Sequence, residues 1–488
     1  MNNNNESNPI EIEKKPNILS KQRTINYCFC SPKIFVSLII TFVTILILFQ
    51  IQSVETPFSL PSAHSPSWAS LHSWGEKIFN THLSFNCTAH LDAIISRLRD
   101  SVTFLPLKDL RFATTAMQDH TWFMSSLNDT YDGGESEYQY FPSEASKGRL
   151  LCLMGRDRLD GGRNSYALAW PDSLPRGATV LGGLTYVSDT YYDYDNLWHG
   201  LMAMMPFVEW YKRKGCVVPT RWILYHWGEV RVKMGTWVGT LMGATFGGVV
   251  NVEGFEGGDG GPTCLEKAVV FRHNMGRMVE EKRMEVFDMM RCRARAYCNV
   301  SGGAQDKERG GVRLTVLLRT GARAFKNESG VVGIFERECG KVEGCRLTVA
   351  RSDNMTFCDQ VKMMSSTDIL ASSHGAQLTN MFLMDTNSSV MEFFPRGWLE
   401  LAGVGQYVYH WEASWSGMKH QGAWRDAQGD ECPNPEPPGG CMSFYKASKI
   451  GHNETHLVEW ARNVLKEVKI KRLEEASRDP VSPPCPCS

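Results

Sequence analysis

Hydrophobic and polar positions change rhythm several times along the 488-residue chain. Residues 34–51, IFVSLIITFVTILILFQI, form an uncharged apolar run about long enough to cross a bilayer as a helix. From Gln52 to about Phe85 the chain is rich in Ser, Pro and His, which reads as a stem. Globular patterning begins near Cys87, where LDAIISRLRD has the spacing of an amphipathic helix. TVLGGLTYV (179–187) reads as a strand, and TRWILYHW follows further along the chain. DYDNLWHGLMAMM between them reads as a helix capped by Asp193 or Asp195, with Pro206 expected to kink or restart it. The Gly-rich stretch 247–261 is a loop, and the charged stretch 271–296 a helix carrying the chain onward.

The C-terminal half alternates more regularly. VRLTVLLR (312–319), CRLTVAR (345–351), DILASS (368–373) and SSVMEFFP, ending at Pro395, read as strands. TFCDQVKMMSST (356–367) and AQLTNMFLM (376–384) read as helices between them. Strand–helix alternation predicts βαβ units and a parallel, doubly wound sheet, which binds ligands at the carboxyl ends of its strands. No internal repeat is evident.

Charge then sets the topology. Lys14, Lys15, Lys21, Arg23 and Lys33 precede the apolar run, and the next lysine is Lys77. The positive-inside rule keeps residues 1–33 cytosolic and sends the rest into the lumen. A cleaved signal peptide fits less well, because the leader is long and no small-x-small site follows directly. Sequons at Asn86, Asn128, Asn299, Asn327, Asn354, Asn387 and Asn453 all fall on the luminal side. Asn5 begins another, on the cytosolic side. The close pairs Cys292/Cys298, Cys339/Cys345 and Cys432/Cys441 suit short disulfide loops, and no C-x-x-C set suggests zinc. Cys28 and Cys30 sit where palmitoylation is feasible, and Cys485 and Cys487 lie in a Pro-rich tail read as disordered. The net charge of −1, with no basic block, argues against nucleic acid as a partner.

SSHGAQLTNMFLM places His374-Gly375 between a strand and a helix, at the carboxyl edge of the expected sheet. Glycine lets backbone approach a ligand, and helix-opening amides favour an anion. A glycine turn beside a structurally bonded histidine explains the pair equally well on this segment alone. Asp193-Tyr194-Asp195 is a D-x-D that could hold a metal and diphosphate, though a cap at a helix start accounts for it.

SSHGAQLTNMFLM, VMEFFP, CLEKAVVF (264–271), DNLWH (195–199) and LLRTGARAFKNE (317–328), in this order-specific arrangement over roughly residues 150–400, resemble glycosyltransferase family 61. Leu318 before Arg319 departs from the paired basic residues often found there. The resemblance implies a GT-B-like α/β fold with two Rossmann-like lobes: 86–305 on the acceptor side and 306–470 binding the nucleotide-sugar, followed by a flexible tail at 471–488. It implies a type II protein of the Golgi membrane that transfers xylose, arabinose or GlcNAc from a UDP-sugar, with inversion, to a xylan-like glycan or a glycoprotein. No cofactor or metal is expected to be obligatory.

Such a reaction needs a base for the acceptor hydroxyl and charge for the departing diphosphate. Arg319 and Arg323 are candidates to grip phosphate, sharing a face if the segment turns helically; solvated surface charges are the plainer reading. His374, Gly375, Thr379 and Asn380 complete the expected donor edge. Glu392 would bond ribose hydroxyls or pair with Arg396. His199, on one helix face with Asn196, is the candidate base, against a core histidine bonded to Asn196. A catalytically inactive glycan-binding scaffold, a metal-dependent GT-A transferase using Asp193/Asp195 and a luminal hydrolase are the alternatives. The last lacks any G-x-S-x-G or H-E-x-x-H.

Overall fold

The described chain opens on the helix expected at LDAIISRLRD, and strands follow, of which only the one at TVLGGLTYV is expected from the sequence. In the computed structural model they are β1 (Leu105–Pro106), β2 (Tyr138–Phe141), β3 (Leu150–Met154), β4 (Ser165–Ala169), β5 (Thr179–Thr190), β6 (Arg221–His226), β7 (Glu229–Arg231) and β8 (Thr263–Phe271). The structure describes residues 89–107, 138–190, 192–255, 260–271, 278–300, 310–434, 440–476 and 485–487. All belong to the unit Asn86–Ser488, set apart from Met1–Phe85. The membrane anchor and stem expected at 34–51 and 52–85 therefore lie outside the described residues, as do Asn86, Asn128, Cys28 and Cys30. Among the described residues no helix is long and apolar enough to cross a membrane.

The first sheet runs β1-β4-β3-β8-β5-β6-β7, with β2 also on β8. β5 is parallel to β6 and β8, while the flanking pairs are antiparallel. This sheet is mixed, not the wholly parallel sheet of a Rossmann-like lobe. Helix α1 (Leu197–Arg213) follows β5, α2 (Thr236–Phe246) follows β7, and α3 (Glu280–Tyr297) follows β8. Neither Asp193 nor Asp195 caps α1. Asn196 does, accepting the amides of Trp198 and His199 at 3.1 and 3.4 Å. Pro206 neither ends nor restarts α1, which continues to Arg213. Proline removes one helix bond, but every residue from Gly200 to Tyr211 is buried, and that burial holds the helix together.

The second sheet contains β9 (Val312–Leu318), β10 (Cys345–Arg351), β11 (Ile369–Ser373), β12 (Ser389–Phe394) and β13 (Lys419–Arg425). Its order is β10-β9-β11-β12-β13, and every pairing is parallel. The chain leaves β9 for β10 on one side and returns to β11 on the other. That reversal opens a crevice beyond the carboxyl ends of β9 and β11, the usual ligand position in a doubly wound sheet. Helices α4 (Glu328–Cys339), α5 (Phe357–Ser365), α6 (Val408–Trp415) and α7 (Glu454–Ala476) accompany these strands.

One buried cluster links the two sheets: Tyr186 and Trp222 of the first reach Leu370 and Val390 of the second through Leu201, Phe207, Leu241, Phe287 and Phe382. The far face of the second sheet packs against α4 and α7 through Val316, Ile334, Phe335, Leu457 and Leu465. Arg291 of α3, almost wholly buried, donates to the carbonyls of Phe382 and Ser416 at 2.6 and 2.8 Å, pinning α3 to the second half.

Disulfides reinforce this union. Cys339–Cys345 and Cys432–Cys441 are the short loops the spacing suggests. Cys292 and Cys298, however, do not pair with each other. Cys298 bonds Cys358, joining the end of α3 to α5, and Cys292 bonds Cys485. Cys216 bonds Cys487, and Cys152 bonds Cys264 across adjacent strands β3 and β8. The two tail cysteines are thus fastened, which corrects their reading as part of a disordered tail. In a helix, Cys292 and Cys298 stand six positions apart, about 240° round the axis, so their side chains cannot meet.

Candidate functional site

The last residues of β9 and β11 bring four of the expected donor residues together. Arg319 follows β9, and the chain then turns through Gly321 to Arg323. This turn is not helical: Arg323 has φ 60°, and its amide donates to the Ser448 carbonyl at 3.0 Å. The two arginines still converge, because both close over Gly375. A Cβ on Gly375 would stand 2.1 Å from Arg319 Nη1 and 3.6 Å from Arg323 Cζ. Gly375 also has φ 155° and ψ 169°, a conformation open essentially to glycine alone. Here the glycine is required by both backbone and space.

Arg319 Nη1 donates to the His374 carbonyl at 3.3 Å, and the Arg323 guanidinium lies 5.0 Å above the Trp398 ring. The Nε atoms of both arginines, the Trp398 indole N–H and the Ser373 hydroxyl are buried without a hydrogen-bond partner. Burial lowers the pKa of Arg319, and burial together with the Arg319 charge draws Arg323 down to about 10. Two desolvated cations, still charged at neutral pH, therefore face each other with no carboxylate in ion-pair contact among the described residues. Asp353, which influences Arg319 from further off, is held by the Thr320 hydroxyl at 3.0 Å. Such a cradle is built for an anion.

Behind it lies a buried carboxylate. Glu392 on β12 is 1% exposed and binds two imidazoles: His374 Nδ1 at 2.6 Å and His420 Nε2 at 2.9 Å. Burial pushes Glu392 up, but the two ring N–H donors outweigh it and hold the carboxyl below its ordinary value. Burial keeps His374 neutral. With Nδ1–H donated to Glu392, its Nε2 is left as an acceptor, suited to a hydroxyl. The alternative pairing of Glu392 with Arg396 is excluded, since Arg396 binds Glu431 at 2.7 Å and the Gly429 carbonyl at 3.2 Å. The His374 ring is packed between Phe394, Trp398 and Tyr409, at 4.7, 4.8 and 5.1 Å.

Ala376–Leu383 forms a 3-10 helix, narrower than the α-helix expected there. Its buried Thr379 lies beside the Tyr409 phenol. Asn380 accepts from the Trp237 indole at 3.0 Å, joining the helix to α2, and its side-chain amide donates to the Gln377 carbonyl at 3.1 Å.

Asn196 holds the His199 backbone amide as a cap, not the His199 ring. The His199 ring stacks on Tyr192 at 4.0 Å, and burial and Lys446 lower its pKa to about 4. Its helix neighbour Trp198 contacts Tyr409 at 5.7 Å, and Tyr409 in turn contacts His374. An aromatic path thus connects the start of α1 with the cradle. Asp193 is engaged by Arg231 at 2.8 Å, and Tyr194 is buried with its hydroxyl on the Tyr225 carbonyl at 2.8 Å. The D-x-D stretch is therefore part of the fold's bonding. No group of three His, Cys, Asp or Glu side chains among the described residues is arranged for a metal.

His420, Trp398, Tyr409 and Glu412 were not legible as site residues. Glu412 is wholly buried with neither carboxylate oxygen hydrogen-bonded, and burial plus the nearby Glu392 charge raise its pKa well above the ordinary range. Its one sequence signal is a carboxylate among the aromatic residues of VYHWEASW.

Comparison with known proteins agrees with the motifs. The family model for glycosyltransferase 61 matches residues 197–391. No curated protein matches significantly. Among solved structures, an X-ray structure of an oxidoreductase from Corynebacterium diphtheriae is similar at 12% identity over 33% of this chain and 98% of that one, with a TM-score of 0.23. Overlap that low carries no argument about fold or function. The matched stretch runs from the start of α1 into β12, so the likeness to the glycosyltransferase 61 family takes in both His199 and the arginine–glycine cradle.

Proposed function

We propose that this chain is a nucleotide-sugar-dependent glycosyltransferase that binds its donor diphosphate between Arg319, Arg323 and Gly375. The observation that carries this reading is the pair of half-buried guanidiniums without a carboxylate in ion-pair contact, closed over a glycine at the switch point of a parallel sheet. UDP-sugar is the proposed donor, with xylose, arabinose or GlcNAc transferred to a glycan or glycoprotein acceptor. The His374 Nε2 lone pair accepts a donor hydroxyl, and Glu392 fixes that imidazole. Both lobes contribute, in a GT-B-like manner: the parallel sheet holds the nucleotide, and the start of α1 faces the acceptor.

In the inverting reaction the acceptor oxygen attacks the anomeric carbon as the bond to the diphosphate breaks. The acceptor proton passes to a base, and the arginines take the charge gathering on the leaving group. His199, neutral at physiological pH, is the proposed base. Arginine charge makes a metal ion dispensable in this scheme. The proposed setting is the Golgi lumen behind the anchor at 34–51. Six disulfides among the described residues, and the exposed positions of Asn299, Asn327, Asn354, Asn387 and Asn453, support an oxidising, glycosylating compartment.

Incubating the full chain in detergent with a panel of UDP-sugars and acceptors, and measuring UDP release, tests this. Acceptor-dependent release with one sugar is expected. Glycoside cleavage without nucleotide, or no release with any donor, contradicts it.

A further inference from the structure

Away from the cradle, the first sheet carries a cavity of about 500 Å³ lined by Tyr138, Tyr140, Trp210, Lys214, Val218 and Lys267. That volume lies in the range of small-molecule sites. Tyr138 and Tyr140 occupy alternate positions on β2, so they share a face of the strand. Tyr140 stacks against Trp210, near the end of α1, at 6.3 Å. One turn on, Lys214 terminates α1, and Lys267 stands on β8 opposite Leu184.

Three features point to a ligand. Trp210 is 5% exposed, yet its indole N–H has no partner. Lys214 and Lys267 are exposed, and neither side-chain ammonium forms an ion pair or hydrogen bond among the described residues. Val217 and Val218 at the rim remain half exposed, at 50% and 51%. Two neighbouring carboxylates are already committed: Glu266 accepts the Gly183 amide at 2.6 Å, and Glu209 pairs with Arg213 at 3.3 Å. Arg213 itself lies 5.0 Å over the Tyr138 ring, adding cationic character.

We infer that this cavity is a second saccharide site selective for an acidic glycan, one bearing uronate carboxylates. The C–H faces of a pyranose suit the tyrosine and tryptophan rings, whose polar ends can reach ring hydroxyls. The indole N–H donates to a sugar oxygen, and Lys214 and Lys267 take the carboxylates. The choice of a saccharide over another ring-bearing anion rests on the glycosyltransferase reading. The lining belongs to the first sheet and α1, so the nucleotide cradle is not part of it.

Calorimetric titration of trigalacturonate and of its fully methyl-esterified form into the full chain in detergent is the test. The acid form should bind at least tenfold more tightly than the ester, which keeps the shape and loses the charge. Lys214→Ala/Lys267→Ala, two surface changes, should abolish that preference, and Trp210→Phe should weaken both forms severalfold. UDP affinity should stay unchanged in the lysine variant. Equal binding of acid and ester, or an unaltered preference in the lysine variant, overturns the site. Inorganic tripolyphosphate binding as tightly as trigalacturonate overturns the saccharide assignment. UDP failing to bind the unaltered chain while trigalacturonate binds would sink the donor reading and leave this cavity standing.

Discussion

Glu392 shows how a charge is kept inside a sheet. Its oxygens meet ring N–H groups from His374 on the neighbouring loop and His420 on the next strand, so both hydrogen bonds are charge-assisted. Removing the acceptor leaves two buried donors unsatisfied. Glu392→Ala should therefore destabilise the protein by about 1–3 kcal/mol for each stranded group. Urea unfolding of the full chain reads this, and an unchanged midpoint would contradict it. Glu412 behaves in the opposite sense. Its folded carboxyl is raised, so the stability it gives is full below the unfolded value near 4.5 and is lost as pH rises toward the folded value. Glu412→Gln, neutral at every pH, should flatten that decline in unfolding midpoint above pH 4.5. A decline as steep as in the unaltered chain would show that Glu412 is ionised. His420 was hidden from sequence reasoning because a parallel sheet makes neighbours of residues 28 apart. His374 and Gly375 were legible, since a His-Gly pair between strand and helix names its own place.

At the scale of elements, the start of α1 carries the capping Asn196 beside the proposed base His199. Asn196 spends its side-chain oxygen on two amides. Asn196→Ala should cost about 1 kcal/mol of stability, and Asn196→Asp, also a good cap, should restore it. If Asn196→Asp folds normally yet transfers no sugar, the residue acts in chemistry and the capping account fails. The periodicity located α1, β5 and four of the five parallel strands, though not β13, because buried segments of those lengths have few other solutions. It misjudged Pro206, since a lone proline is normally decisive and only the burial around it explains the continuous helix. It misplaced the Arg319–Arg323 turn for a similar reason. Their convergence comes from Gly375 across the sheet, not from spacing along a helix.

Across the whole molecule, the halves are joined by a shared apolar cluster and by covalent bonds. Cys298–Cys358 ties α3 to α5, and the tail returns through Cys485 and Cys487 to Cys292 and Cys216. Cys485→Ser/Cys487→Ser should lower stability by about 2–4 kcal/mol per lost bond, because the long loops closed by those bonds would be released. Thermal unfolding under non-reducing conditions checks this, and an unchanged midpoint would mean the bonds are idle. Spacing gave Cys339–Cys345 and Cys432–Cys441 correctly and Cys292/Cys298 wrongly. The long pairs were not readable from it, because pairing at separations of 193 and 271 residues is a property of the folded chain.

The central claim is that Arg319, Arg323, His374 and Gly375 hold the donor diphosphate. Titrating UDP calorimetrically into the full chain and into folded Arg323→Ala and His374→Ala variants tests it most directly. Arg323→Ala should weaken UDP about tenfold or more, as loss of a charge-assisted bond requires, and His374→Ala should weaken it less. Gly375→Val, whose side chain must displace Arg319, should be the most damaging of the set. Unchanged UDP affinity in both Arg323→Ala and His374→Ala would place the donor elsewhere.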